Sequence, residues 1–111
     1  MSDARNIQIA ALAEQAEDDY LDHGFRFVDG SAAVGDELAV SWSEEEEREM
    51  AGTCAFETWE QVAEYAKHST GAIVMITGAI EHSGHLAGEI IVSDATVVAT
   101  WTRENANDDW A

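Results

Sequence analysis

The sequence predicts an α+β fold, a small single domain over 1–111 in which an antiparallel sheet packs against two main helices and a short acidic one. Three observations predict it. Apolar residues make up 46% of the 111 positions and include four Trp, three Phe and two Tyr, enough to bury a core without metals or several disulfides. Apolar positions recur at helical spacing near the N-terminus and again after Thr58. From Ala72 onward the pattern changes to apolar and alternating runs broken by small turn residues, which is the pattern of strands.

Ser2 or Asp3 is placed to cap a first helix that runs to about His23, with Gly24 positioned to end it in the left-handed conformation. Its packing stripe is Ile9, Leu12, Ala13, Ala16 and Tyr20, and Glu14, Glu17, Asp18 and Asp22 fall on the opposite side. Phe25 and Phe27, alternating with Arg26 and Val28, form a short strand. Leu38, Val40 and Trp42 form a second, and the two are expected to pair as an N-terminal hairpin across the Asp29-Gly30 to Gly35-Asp36 loop. In phase with Leu38 and Val40, Trp42 is expected to pack in the core; the alternative makes Trp42 and Trp110 interface anchors beside their acids.

Ser43 followed three residues later by Glu46 has the form of a capping box, so the run Glu44-Glu45-Glu46-Glu47-Arg48-Glu49 is expected to open a short helix ended by Gly52. Thr58 with Gln61 is a second box. It opens a helix that packs through Trp59, Val62, Ala63 and Ala66, turns Glu57, Glu60 and Glu64 outward, and ends at Ser69-Thr70-Gly71. Ala72 to Ile80, Leu86 to Ser93 and Thr96 to Arg103 then read as a three-stranded meander with turns at Ser83-Gly84 and Asp94-Ala95. Residues 104–111 read as a flexible acidic tail.

Charge is the most distinctive property. The chain carries 23 acids against 5 bases, a net charge of −18, and Lys67 is its single lysine. Such a field repels nucleic acid and anionic membranes and attracts basic surfaces, chiefly those of proteins that bind DNA or RNA. The acids are unevenly spread. Residues 1–50 hold 14 acids and 3 bases, a net of −11, whereas 51–111 hold 9 and 2, a net of −7; within 71–103 only Glu81, Glu89 and Asp94 are acidic. This segregation points to an interaction surface on the two helices and the glutamate segment, made of Glu14, Glu17, Asp18, Asp22, Glu44, Glu45, Glu46, Glu47, Glu49, Glu57, Glu60 and Glu64. The contrasting explanation is hydration: an acidic protein of a salt-loving organism, or a small regulatory protein whose acids serve solubility.

No motif points to catalysis. His82-Ser83-Gly84-His85 with Cys54 has none of the spacings of a zinc site, and histidines in a polar hairpin turn are ordinarily just exposed. A lone cysteine usually behaves as a small apolar residue rather than as a nucleophile paired with His82 or His85. Carboxylates are too abundant for any pair to be diagnostic, and neither a phosphate-cradling glycine loop nor a nucleophile elbow is present. The expectation is a non-enzymatic protein without cofactor or metal. With Cys54 alone there is no internal disulfide; no signal-peptide pattern or stretch of ~20 apolar residues occurs, so a cytoplasmic site of action is expected.

Small size, strong acidity, a single lysine and a small α+β core together resemble the phage-encoded acidic inhibitors of bacterial defence, the anti-CRISPR and anti-restriction proteins that mimic DNA. The resemblance is one of composition over the whole chain and carries no motif. It implies that Glu14, Asp18 and Glu44 to Glu49 occupy sites where lysines and arginines of a defence complex hold phosphates. Carboxylates one helical turn apart lie ~6 Å from each other, comparable to successive phosphates. The expected target is the PAM-recognition groove of a type I CRISPR-Cas complex, bound through a Cas subunit in the cytoplasm of an infected bacterium, by a monomer or weak dimer. An anti-restriction DNA mimic is the alternative within that class.

Overall fold

The computed structural model describes residues 3–84 and 86–102. Helix α1 (Asp3–Asp18) leads into β1 (Asp22–Val28); a long connection then reaches a two-stranded ribbon, β2 (Trp42–Ser43) and β3 (Arg48–Glu49). Strand β4 (Thr53–Phe56), helix α2 (Trp59–Tyr65) and the long strands β5 (Ala72–Ser83) and β6 (Glu89–Thr102) complete the chain. The α+β expectation is met. The main sheet is antiparallel and closes on itself in the order β1-β4-β6-β5, with β1 pairing β5 from Asp22↔Gly78 to Val28↔Ala72 and touching β4 at Phe25↔Phe56.

Alternation along the strands divides the core between the two faces of this sheet. Ile73 and Met75 face the helices with Phe25, Phe56, Ala99 and Trp101, where Trp59, Val62, Ala63 and Ala66 of α2 pack on them and Ile9, Leu12 and Ala13 of α1 cover the flank. Val74 and Ile76 point the other way, into a second cluster with Ala55, Ile90, Val92, Ala95 and Val97, covered in part by Val28, Ala32 and Leu38. This two-sided burial is why residues 72–78 read as apolar on both faces. Trp59 anchors the helix side, its ring edge-on to Trp101 at 5.3 Å and to Phe25 at 6.3 Å, with the Arg5 guanidinium 4.1 Å above it.

Where three strands were expected after Ala72, the structure has two. Thr77 pairs with Thr96 and Ala79 with Ser93, so Asp94 and Ala95 together face Gly78: the expected turn is a bulge, with Asp94 at φ 53. Gly78 permits it, since a Cβ there would come within 2.3 Å of the Ser93 carbonyl oxygen. A second bulge at Val98 lies between Met75↔Ala99 and Ile76↔Val97, and it sends Val97 and Ala99 to opposite faces. Extra residues on one strand bend it, and that bending lets four strands close.

Further expectations are corrected. The first helix stops at Asp18, because Tyr20 takes the left-handed conformation (φ 60) and the Leu21 and Tyr20 amides donate to the carbonyls of Ala16 (2.8 Å) and Glu17 (3.0 Å). Gly24 is instead a buried strand residue, where a Cβ would lie only 3.1–3.3 Å from atoms of Ile90, Phe56 and Ala55; Tyr20, expected in the packing stripe, is 97% exposed. The glutamate run forms no helix: Ser43 Oγ accepts from the Glu46 amide (3.2 Å) as a cap would, but Glu47 at φ 51 turns the chain back so that Arg48 and Glu49 pair with Ser43 and Trp42. A turn splays carboxylates that a helix would stack at i, i+3 and i, i+4 with repulsion.

The Leu38–Trp42 segment does not pair with β1: Glu37 just before it bridges Thr96, the Leu38 amide donates to the Ala95 carbonyl (2.9 Å), and Trp42 pairs with Glu49 and is 60% exposed rather than in the core. The partners that β1 takes instead are β5 along its length and, at Phe25↔Phe56, β4, a strand the sequence analysis missed. Helix α2 opens with the expected box, Thr58 Oγ1 accepting from the Gln61 amide (3.3 Å) and Gln61 Oε1 from the Thr58 amide (3.1 Å), and it ends at Tyr65, a turn earlier than expected. The tail at 104–111, with Trp110, lies outside the described residues.

Candidate functional site

Every carboxylate singled out in the sequence is exposed, and the fold distributes them over distinct regions. The first is the β2–β3 ribbon. Glu44 to Glu47 form the four-residue turn between strands of two residues each, and Glu49 sits opposite the exposed Trp42. Main-chain bonds Ser41 N to Gly52 O (3.0 Å) and Met50 N to Ser41 O (2.8 Å) continue the ribbon, the Cys54 amide donates to Ser41 Oγ (2.9 Å), and Thr53 Oγ1 donates to the Ala39 carbonyl (2.6 Å). The acidic tip therefore projects from the Thr53 end of β4 on a short but fixed stalk. Arg48 Nη2 reaches both carboxylate oxygens of Glu46 at 3.3 Å, an exposed pair worth a few tenths of a kcal/mol, on the order of 0.5.

The second region lies beyond the other end of β4, whose four residues alone separate it from the ribbon by about 13 Å. Here Glu14 and Glu17 of α1, Asp22 at the start of β1 and Glu57 after β4 surround a depression of about 630 Å³. Ala10, Ala13, Leu21, His23 and Ile80 complete its lining. Ala10, Ala13, Glu14 and Glu17 follow the i, i+3, i+4, i+7 spacing of one helix face, so α1 forms one wall. Asp22 also has a fold role, since its Oδ2 accepts from the Ile80 amide at 2.9 Å and ties the rim to β5. Asp18 is exposed beside Glu17 but is outside the lining.

Glu60 and Glu64 occupy the solvent side of α2, where Lys67 Nζ contacts Glu64 at 3.1 Å. Of the other bases, Arg5 lies over Trp59 and Arg26 donates to the Cys54 carbonyl at 2.7 Å. Arg26 borders a further depression of about 700 Å³ whose lining also includes Asp29, Cys54, Phe56, Tyr65 and Glu89. Cys54, half-buried in β4, has its sulfur 3.6 Å from Met50 Sδ, while His82 is exposed with Nδ1 at 2.7 Å from the Ser83 carbonyl. Among the described residues no three His, Cys, Asp or Glu side chains converge as metal ligands, and no helix is long and apolar enough to cross a membrane. His85 lies outside them.

Leu21 and Ile80, 42% and 41% exposed, escaped the sequence analysis. Nothing in the order of residues reveals that barrel closure brings them beside Glu14 and Glu57. Comparison with known proteins gave no match to a family model, a curated protein or a solved structure.

Proposed function

We propose that this chain is a non-enzymatic inhibitor that presents carboxylates in place of DNA phosphates to the basic DNA-binding groove of a bacterial defence complex. The type I CRISPR surveillance complex is the first target to test, in the cytoplasm of the host cell. The observation that carries the reading is the acidic tip of the β2–β3 ribbon. A tight turn with a left-handed residue favours Gly or Asn there and needs no carboxylates, yet Glu44 to Glu47 fill it and are exposed. Like charges held side by side cost stability, so their placement is better explained by a partner than by folding. With a net charge of −18, long-range attraction steers such a tip toward a basic groove and away from nucleic acid.

The test is competition. Labelled duplex bound to the isolated complex is titrated with the protein; displacement is expected, weakening as salt rises because the association is largely electrostatic and salt screens it. Duplex that stays bound at saturating protein overturns the exclusion mechanism.

A further inference from the structure

We infer that the depression between α1 and the start of β1 is a docking groove for a short cationic amphipathic segment of a partner protein, with apolar side chains on its floor and Lys or Arg against its rim. The inference takes from the proposed function only that the partner is basic. Its own support is the combination of shape, floor and rim. Two aliphatic side chains of the lining, Leu21 and Ile80, are 42% and 41% exposed. The small residues Ala10 and Ala13 keep the α1 wall low, and Glu14, Glu17, Asp22 and Glu57 stand around the opening.

The occupant follows from complementarity. No lysine or arginine appears in the lining among the described residues, so a carboxylate-bearing or phosphate-bearing ligand meets four carboxylates against the single imidazole of His23. A second copy of the chain brings another −18 and is disfavoured in the same way, as is an anionic membrane. The α1 wall from Ala10 to Glu17 is about 10 Å long, enough for two turns of a docked helix or about three residues of extended chain. A segment with two or three apolar side chains flanked by Lys or Arg covers Leu21 and Ile80 while its cations meet the rim, so area and charge act together and fix register.

The experiment uses the full chain and three probes: a helix-forming peptide with Leu on one face and Lys and Arg on the other, a scrambled peptide of the same composition, and spermidine. Affinity is measured by titration calorimetry and the site by backbone amide shifts in NMR. The ordered peptide is expected to bind about tenfold tighter than either control, a difference equal to covering the two aliphatic side chains. Shifts should centre on Ala10, Ala13, Leu21 and Ile80. The double variant Leu21→Ser with Ile80→Ser, with unchanged circular dichroism, should lose that preference and bind the scrambled peptide as the parent does. Equal affinity for ordered and scrambled peptides, spermidine binding as tightly as the ordered peptide, or shifts concentrated at Glu44 to Glu49 each overturn the groove. Should the ordered peptide keep its preference while duplex is not displaced from the defence complex, the decoy reading falls and the groove stands; displacement without peptide preference has the opposite meaning.

Discussion

The two acidic regions differ in what lies under the charge. On the β2–β3 ribbon Glu44 to Glu47 fill a tight turn, with the exposed Trp42 across from Glu49 and the exposed Val40 on the stalk, whereas Glu14, Glu17, Asp22 and Glu57 line a depression together with Leu21 and Ile80. Bare charge acts at a distance, raising the encounter rate with a basic partner and fading with salt. Charge around an apolar floor acts at contact, and the floor's share of the affinity persists in salt. The difference teaches that one composition supports two kinds of recognition, and that the fold decides which acids serve which.

The largest expected effect breaks the comparison from the ribbon side. Reversing Glu44, Glu45, Glu46 and Glu47 to Lys should slow association with a basic partner by about 100-fold at low salt and by much less at ~0.5 M, since the summed field sets the rate. Circular dichroism should not change, because these side chains are exposed. Glu81→Gln, which keeps an acceptor for Ser93 Oγ (2.8 Å), is the control and should bind as the parent. Stopped-flow association rates decide the matter, and an unchanged rate removes the ribbon from the interface. In the same dilute buffer the parent should remain folded with an undiminished melting temperature. A chain whose acids serve hydration in a salt-loving organism would instead unfold there, as its carboxylates lose their screening.

A smaller effect sharpens the groove side. Asp22→Ala should cost about 1 kcal/mol in chemical denaturation, the net worth of a hydrogen bond to the Ile80 amide, while Asp22→Asn keeps the acceptor and should cost less. The Ile80 amide should exchange faster in the Ala variant. If both variants are equally stable, the link between rim and β5 contributes nothing and Asp22 is a surface acid like Asp18.

How much of this was legible in the sequence varies by element, for physical reasons. Helix α2 was legible because its capping box, Thr58 with Gln61, is a local contact written in adjacent residues. Strand β5 was legible because burial on both faces leaves a continuous apolar run. The same local logic misled at Ser43 and Glu46, where the capping contact forms but closes a turn, the outcome being decided by like-charge spacing and by pairing of Arg48 with Ser43. Gly24 misled for another reason: a glycine after a helix can end it or can admit close strand packing, and only the β1–β4 contact shows which. Exposure of the acids was readable residue by residue. Their gathering around Leu21 and Ile80 was not, because it depends on closure of the sheet between segments far apart in sequence.

The smallest effects come from two of the three left-handed non-glycine residues among those described, one near each acidic region, Tyr20 at φ 60 and Glu47 at φ 51. A side chain in that conformation costs ~1 kcal/mol, and replacing it with glycine recovers this less the extra entropy of an unfolded glycine, for a net gain of about 0.5 kcal/mol. Tyr20→Gly and Glu47→Gly should therefore each raise the melting temperature by a degree or more, about 2 °C. Equal gains in stability should come with unequal changes in binding. Tyr20 stands 97% exposed one residue before Leu21, where an aromatic ring can lie along a docked apolar segment, so Tyr20→Gly should weaken the ordered cationic peptide about threefold and leave the scrambled one unchanged. Glu47→Gly removes one charge from the field and should weaken both peptides alike, by less than twofold on the scale of a single exposed charge, about 0.3 kcal/mol. Calorimetric titration of the two variants separates the regions with the fold held constant. A Tyr20→Gly protein that treats the two peptides as Glu47→Gly does would mean that Tyr20 plays no part at the groove.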